Sequence, residues 1–356
     1  MNNVRNEITN IIRSFLKQEY NVSIDCEIDE LYDLSNKLAI SNIVGYTLNK
    51  SNIKNTVFEK SVYKGLTKYE LLANTRKQID SLFQDIKYLY IKGLTISKYY
   101  EEPYLRYSSD LDVVIADDDF DKAYNTLINN GYKFISRNSQ EVVLIGKNKA
   151  TIDLHYLFTI EDDKFESLYK NCFNDSHELD INYNYVFCIE HCLKHFKYGI
   201  LHFKNILDIF YLRKNIDNNK VSELLNEFGL TKFNECLNHY LDCLLGIKEY
   251  SDIDRKIEDF IFNYTSDLGK TNRVLIKSYN KSKFSYLLSR AFVPYEIISN
   301  EYPILKKNKL LLPIYYVKRV IKWRKVAIRE IKGNFRSKAT EIEQMHDFMQ
   351  EIGAID

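Results

Sequence analysis

The chain of 356 residues contains 45% hydrophobic and 28% charged residues, a balance that excludes intrinsic disorder and fibrous repeats and predicts two or three globular domains. It has only 11 glycines and 4 prolines, and because these residues make tight turns and break helices, their scarcity favours long helices over an all-β sandwich or barrel. The net charge of +1 excludes a uniformly basic chain.

The sequence predicts a cytoplasmic protein with reduced thiols. No apolar run approaches the roughly 18–20 residues that a membrane span requires. The N-terminal stretch MNNVRNEITNIIRSFL is charged and lacks the apolar centre of a signal peptide. The six cysteines are spread through a long chain, so we expect free thiols rather than disulfides.

The first 85 residues are predicted to be helical. An amphipathic first helix is indicated by apolar residues at i, i+4, i+7, i+8 and i+11, which are Val4, Ile8, Ile11, Ile12 and Phe15. A second helix is predicted over Ile28–Leu48 and a third over roughly Val57–Ile86.

Strand patterns begin near residue 87. The predicted strands are Tyr88–Ile91, Leu111–Ile115, Tyr132–Ser136, Glu141–Ile145 and Ala150–His155. Short helices are predicted between them at Leu94–Tyr100 and Asp119–Asn130, with Gly131 capping the second. From Asn184 onward the apolar spacing is helical again.

These elements predict an α+β chain that is predominantly helical. An N-terminal helical region (1–85) precedes a small mixed-sheet core (86–175), and a C-terminal helical domain (176–356) follows it. Since no glycine- or serine-rich linker separates the three parts, we expect both helical regions to pack on the core and to wall its cleft.

Two carboxylates, Asp110 and Asp112, lie on one face of a predicted strand, because alternate residues of a strand point to the same side. Leu111 and Val113 then face the core. Carboxylates within an apolar strand are costly to bury unless a cation neutralises them, and hard oxygen ligands select Mg²⁺ or Mn²⁺. The alternative is a strand end with two solvated acids.

A third carboxylate, Asp153, lies inside the later strand Ala150–Tyr156. If the two strands are neighbours, three carboxylates can hold two metal ions about 4 Å apart, which suits in-line nucleotidyl transfer. His155 shares the face of Asp153. The alternatives are an edge-strand acid and a histidine at the rim of the core.

A phosphate site is indicated upstream, where Gly93 follows a strand and precedes a helix. Backbone N–H groups at such a turn suit a phosphate, and Lys92 adds a nearby cation. Arg106 either forks a phosphate or balances Glu101 and Glu102.

The order of these motifs resembles the polymerase-β-like nucleotidyltransferase superfamily, and most closely its bacterial branch, the uncharacterised nucleotidyltransferase family. The resemblance covers about residues 30–325. The residues that carry it are Lys92-Gly93, Tyr100 with Pro103, Arg106, Asp110-Leu111-Asp112, Gly131-Tyr132, Asp153-Leu154-His155, the helical stretches His191–His195 and Leu207–Ile209, and Leu311-Leu312-Pro313 with Arg319.

The resemblance implies a Mg²⁺-dependent enzyme, with Mn²⁺ as an alternative metal. It would transfer NMP from an NTP to a hydroxyl, phosphate or amine of a small molecule, a peptide or protein, or RNA. The carboxylates that would hold metal and carry catalysis are Asp110, Asp112 and Asp153. The residues that would contact the nucleotide are Lys92, Gly93, Thr95, Arg106 and Ser109. Apart from the resemblance, the candidates for the acceptor pocket are His155 and, from the helical side, His195, Lys204 or Asp208.

One departure from the superfamily is the phosphate turn, which usually carries Gly-Gly or Gly-Ser. Here it is Gly93-Leu94-Thr95, so Thr95 or Ser97 would have to supply any hydroxyl. An Asp-x-Asp glycosyltransferase and a non-catalytic nucleotide-binding module of the same fold remain alternatives. The first needs a βαβ domain ahead of the motif, where this sequence is helical.

Two further features have competing interpretations. The stripe Cys188, Cys192 and His195 has a spacing that suits Zn²⁺, but packing of these side chains against the core is favoured. The segment Lys306–Lys338 holds twelve Lys or Arg and one acid. A solvated helix face is favoured there over nucleic-acid binding, and pairing with acids elsewhere in the chain is another possibility.

Crowding of the carboxylates also predicts how the fold responds to their removal. Like charges in one pocket raise each other's pKa. We therefore expect Asp110→Asn and Asp112→Asn to abolish transfer while leaving the metal-free fold intact or more stable.

Overall fold

The computed structural model describes residues 2–159, 162–199, 201–263, 292–322 and 339–355, together with residues 276, 285 and 288. This part of the chain is α+β and predominantly helical, which confirms the predicted fold class. Its N-terminal helices are α1 (Asn2–Lys17), α2 (Ile28–Lys37), α3 (Ser41–Lys50) and α4 (Thr56–Leu82). The predicted apolar stripe of α1 is buried, with Phe15 fully inaccessible.

The prediction of one continuous second helix over Ile28–Leu48 is wrong, because this stretch forms the two helices α2 and α3. After α2 the chain makes a Schellman turn, in which Ala39 N donates to Asn36 O and Ile40 N donates to Ser35 O. Ala39 takes the left-handed conformation that this turn requires, with a φ of +60°. The apolar pattern continues through the turn because Leu38 and Ile40 are both buried, so periodicity alone does not reveal the break.

Five strands form one sheet in the order β1-β2-β5-β4-β3. Their bounds are β1 (Tyr88–Tyr90), β2 (Leu111–Ile115), β3 (Lys133–Arg137), β4 (Glu141–Ile145) and β5 (Thr151–His155). The pair β2–β5 is parallel and the other three pairs are antiparallel. Every predicted strand is confirmed, and so are the short helices between them, α5 (Gly93–Ser97) and α6 (Phe120–Asn129).

Helices follow the sheet in the remainder of the chain that the structure describes. They are α7 (Asp163–Tyr169), α8 (Ile181–Lys197), α9 (Phe203–Leu212), α10 (Asn218–Glu227), α11 (Thr231–Leu244), α12 (Asp252–Asn263), α13 (Tyr295–Glu301), α14 (Ile304–Lys307), α15 (residues 312–322) and α16 (Ala339–Glu351). Within the described residues, no helix combines the length and the apolar character needed to cross a membrane. All six cysteines are free thiols, as predicted.

Strand β2 is buried on both faces, because two hydrophobic cores meet there, whereas the edge strand β3 is largely exposed. Val113 belongs to a smaller core with side chains of α4 and α6. Val114 belongs to a larger core that contains Phe15 of α1 and Phe187 of α8. The expected packing of both helical regions on the α/β core is therefore observed, and a charged side chain on β2 is largely removed from solvent.

The turn after α2 yields a stability prediction. Ala39→Gly should raise the free energy of unfolding by about 0.5–1 kcal/mol, because glycine adopts a positive φ without the penalty that alanine incurs. Urea unfolding followed by circular dichroism measures this change. The control is Ala123→Gly in the interior of α6, which is fully buried and should lose about 1 kcal/mol or more. Destabilisation by both substitutions would contradict the prediction.

Candidate active site

Two of the predicted carboxylates are direct neighbours in the sheet. Asp112 of β2 and Asp153 of β5 are paired in register on adjacent parallel strands, so their side chains lie on the same face. Asp110 precedes β2 by one residue and accepts a hydrogen bond from Ser109 Oγ at 2.7 Å. The expected convergence of the three acids at one place is observed, and we name this group the acidic floor (Asp110, Asp112 and Asp153).

Asp112 is nearly buried, with 8% of its surface exposed, and two cationic or donor groups hold it. Its Oδ1 lies 3.1 Å from Lys92 Nζ and 2.9 Å from His155 Nε2. Burial alone would raise the pKa of Asp112, but the charge of Lys92 and the hydrogen bond from His155 outweigh burial and hold this pKa well below its usual range. Asp112 is therefore a stable anion without a metal ion.

Asp153 has the opposite electrostatics. Its Oδ1 is buried and accepts no hydrogen bond. Burial, followed by the charges of Asp112, Asp110 and Glu141, raises the pKa of Asp153 to about 8. The repulsion between crowded carboxylates that the sequence predicts thus raises the pKa of Asp153. The expectation that Asp112→Asn is neutral or stabilising is not supported, because Asp112 is paired with Lys92 and His155.

Lys92 reaches Asp112 from a strained turn. Its backbone has φ 55° and ψ −150°, a region that non-glycine residues occupy at a cost of about 1–3 kcal/mol. The turn is held by Thr95, whose N–H and Oγ1 both donate to Lys92 O, at 2.9 and 2.7 Å. The predicted strand-Gly-helix turn therefore presents a lysine to the acidic floor, whereas Gly93 and Thr95 are buried and are not part of the cavity lining.

Arg106 and Asp208 form a buried ion pair. Arg106 Nε and Nη2 donate to the two carboxylate oxygens of Asp208 at 3.1 and 2.7 Å, and Tyr100 OH donates to Asp208 Oδ1 at 2.7 Å. Both charged side chains are only 5% exposed. The alternative in which Arg106 balances Glu101 and Glu102 is wrong, because Arg106 pairs with Asp208, and Glu101 accepts hydrogen bonds from Tyr20 and Tyr46.

The acidic floor opens into a cavity of about 270 Å³. Its opposite side comes from α8, α9 and the chain between them, and we name these side chains the basic wall (His191, Lys194, His195, His202 and Lys204). The lining residues run from Lys92 to Asn205, so the helices of residues 1–85 do not wall the cleft as expected. Asp208 is not part of the lining.

Burial lowers the pKa of side chains in the basic wall. His195 Nε2 and His191 Nε2 are 2.9 Å apart, so one ring donates a hydrogen bond to the other. Protonation of both rings at once would be unfavourable because the two positive charges would repel each other. Burial, reinforced by the charge of Lys92, lowers the pKa of His195 to about 3. Burial also lowers the pKa of Lys204, to about 8. A phosphate in the cavity would raise the pKa of Lys204 again, since an anion favours the ammonium form.

The sequence did not identify Glu141, Gln140 or His202, which also line the cavity. Glu141 is paired in register with His155 across β4 and β5, and its Oε2 lies 3.3 Å from His155 Nδ1. If the register of β4 and β5 had been known from the sequence, Glu141 would have been predicted to lie beside His155. His202 lies in the chain between α8 and α9, and no sequence pattern identifies it as a cavity residue.

The donor chemistry of the acidic floor fits a hard divalent cation, because all three ligands are carboxylates and Asp153 Oδ1 is buried without a partner. Binding of a cation by the acidic floor requires its carboxylates to move closer together. Among the described residues, the only trio of His, Cys, Asp or Glu whose ligand atoms already lie within 4.8 Å of one another is at a different place in the fold. The Cys188, Cys192 and His195 stripe does not qualify either, which favours packing over Zn²⁺ for these residues.

Comparison with known families supports the resemblance found in the sequence. The model of a family described as uncharacterised nucleotidyltransferase matches residues 25–246. The chain belongs to this family. The match contains every residue of the acidic floor and the basic wall, and it ends before the Leu311-Leu312-Pro313 stretch. No curated protein matches the chain.

The raised pKa of Asp153 predicts a pH-dependent effect of removing its charge. Folded Asp153 holds a proton up to a pH of about 8, whereas the unfolded chain releases it near pH 4. Stability of the wild type is therefore lost as the pH rises between these values. In EDTA, Asp153→Asn should match the wild type near pH 4 and become progressively more stable toward pH 8. Thermal melts across this range measure the difference.

The matched control for this experiment is Asp118→Asn, which replaces an exposed acid of the same chain. Its melting temperature relative to the wild type should not change with pH. If Asp153→Asn gave the same flat difference, Asp153 would not be a protonated carboxyl in the metal-free protein.

The buried ion pair generates a second prediction. Asp208→Asn should destabilise the fold by about 3–5 kcal/mol, because Arg106 is left as an uncompensated buried charge. The control is Glu351→Gln, which breaks an ion pair with Lys256. The side chain of Lys256 is 50% exposed and that of Glu351 is 40% exposed, and such exposed pairs contribute less than about 1 kcal/mol to stability. Denaturant unfolding of both variants tests this, and equal effects would contradict it.

Proposed function

We propose that the protein is a Mg²⁺-dependent nucleotidyltransferase that moves a nucleoside monophosphate from an NTP to an acceptor hydroxyl, phosphate or amine. The observation that carries this proposal is the register of Asp112 and Asp153 on adjacent parallel strands, with Asp110 beside them and a cavity above. Membership of a nucleotidyltransferase family supports the reaction class.

In this reaction the acceptor atom forms a bond to the α-phosphorus while the bond from that phosphorus to the bridging oxygen breaks. Pyrophosphate leaves with the electron pair, and the acceptor loses its proton. Magnesium bound by Asp110, Asp112 and Asp153 would neutralise phosphate charge and polarise the attacked phosphorus.

The side chains of the cavity have defined roles in the proposal. Asp153, in register beside Asp112, would help to hold the metal and is the candidate general base that accepts the proton of the acceptor. Lys92 and Lys204, on opposite sides of the cavity, would contact the triphosphate as point charges. His155 keeps Asp112 oriented through the 2.9 Å hydrogen bond. Arg106 holds α9 in place through Asp208 and does not act as a free phosphate fork.

Glycosyl transfer is less well supported. The described residues ahead of Asp110 contain one strand, β1, whereas an Asp-x-Asp glycosyltransferase needs a βαβ nucleotide domain there. Nucleic acid as the acceptor is also not favoured, since Arg319 and Lys322 of the basic segment both pair with buried Glu301. Trp323 and residues 324–338 of that segment lie outside the described part of the chain.

Removal of the metal-binding carboxylates should abolish transfer. Asp110→Asn and Asp112→Asn are each expected to lower the rate by about 10²-fold or more, because the transition-state charge loses its stabilisation. The assay follows radiolabel from each NTP, with Mg²⁺, into small molecules, RNA or protein, and detects pyrophosphate release. Asp118→Asn is the control and should retain wild-type activity.

Thermal melting separates the loss of a ligand from the loss of the fold. Mg²⁺ with an NTP should stabilise the wild type by about 1.4 kcal/mol per tenfold excess over the dissociation constant, and this increment should vanish in Asp112→Asn. Wild-type transfer by Asp112→Asn, with identical melting in EDTA and in Mg²⁺ with each NTP, would refute the proposed function.

A further inference from the structure

Three metal-binding side chains meet where α11 and α12 join, away from the acidic floor. His239 and Cys243 lie one turn apart on α11, and Asp254 lies in the first turn of α12. One ligand atom from each lies within 4.8 Å of the other two. None of the three lines the cavity.

The distances between the donor atoms match those around a tetrahedral zinc ion. His239 Nδ1 lies 3.0 Å from Asp254 Oδ2 and 3.5 Å from Cys243 Sγ. Ligand bonds of about 2.0 Å for nitrogen and oxygen and about 2.3 Å for sulfur, at the tetrahedral angle, place nitrogen about 3.3 Å from oxygen and about 3.5 Å from sulfur. The three side chains thus need little movement to surround one ion.

The ligands are held in place by the fold. Asp254 and Cys243 are each 1% exposed. The N–H and the Oγ of Ser251 donate to Asp254 Oδ2 at 2.8 and 2.6 Å, which fixes the carboxylate at the start of α12. The side chain of His239 is 40% exposed, so the trio lies at the protein surface and an ion can reach it from solvent.

Without a metal, each donor has an ordinary contact. His239 and Asp254 share a hydrogen bond, and Cys243 Sγ donates to Glu249 O at 3.1 Å. Zinc would take the place of the proton on Cys243 Sγ, and His239 would bind through Nδ1 with its ring proton on Nε2, so binding releases the thiol proton and is favoured by rising pH. The combination of one thiolate, one imidazole and one carboxylate is a donor set that selects Zn²⁺ over Mg²⁺.

We propose that His239, Cys243 and Asp254 bind one Zn²⁺ ion, with water as the fourth ligand. The ion would join the C-terminal half of α11 to the start of α12 across the loop of residues 245–251. This site is independent of the nucleotidyl transfer proposed above.

Cobalt substitution tests the site, because Co²⁺ bound to a thiolate gives a sulfur-to-metal charge-transfer band that oxygen ligands do not give. Chelator-treated, reduced full-length protein is titrated with Co²⁺. We expect one equivalent to produce the band and Zn²⁺ to remove it. Cys243→Ser should lose the band, whereas Asp112→Asn should keep it because the acidic floor contains no sulfur.

The matched control is Cys236→Ser, the same substitution two turns earlier on α11, which should keep the band. His239→Gln replaces a partly exposed side chain, so its fold should persist by circular dichroism, and it should weaken Co²⁺ binding by about tenfold or more. Zn²⁺ should raise the melting temperature of the wild type and not that of His239→Gln.

Three results would overturn the proposal. They are the absence of a charge-transfer band in the wild type, a band that persists in Cys243→Ser, and a band that is lost in Cys236→Ser. The first would show that the trio is only a capped helix start with a histidine–aspartate hydrogen bond. The other two would show that a different cysteine is the ligand.

Discussion

The structure of the site depends on how a buried carboxylate in the middle of a sheet is neutralised. Asp112 lies on a strand whose five residues are all buried, so its charge must be compensated by protein groups. Lys92, in the turn after β1, and His155, on β5, provide that compensation from the two sides of β2. The strained backbone at Lys92 is explained by the same requirement, because the turn after β1 must direct an ammonium group toward Asp112.

Asp153 shows what happens when the same environment supplies no partner. It is paired in register with Asp112, yet its Oδ1 accepts no hydrogen bond and its pKa is raised to about 8. The two acids therefore titrate far apart although they are neighbours. A pair of carboxylates with such different environments is typical of sites that perform acid–base or metal-assisted chemistry.

Much of the sheet and of the acidic floor could be predicted from the sequence, because strand alternation is a local property. Period-two spacing predicts that Asp153 and His155 share one face of their strand, and they join Asp112 only if the two strands are neighbours, which the strand register confirms. The break after α2 was missed because Ala39 adopts a positive φ that glycine usually marks. Local apolar periodicity had no means of detecting it.

Other parts of the site could not be predicted because they are long-range. Arg106 and Asp208 are 102 residues apart in the chain, so nothing in either local pattern shows that they meet. The basic wall depends on how α8 and α9 pack over the sheet, and His202 has no periodic neighbours that mark it. The sequence therefore indicates the floor of the cavity and, through His195 and Lys204, part of its opposite side, but not His202.

The pair of Arg106 and Asp208 has a consequence for how substrates reach the cavity. It joins the segment ahead of β2 to α9, which carries Lys204. Moving α9 away from the sheet would separate two charges that are almost fully buried, at a cost of about 3–5 kcal/mol. Opening and closing between these two parts is therefore disfavoured. Acceptors are expected to enter an aperture of fixed shape, so selectivity arises from fit to a preformed opening rather than from closure around the bound molecule.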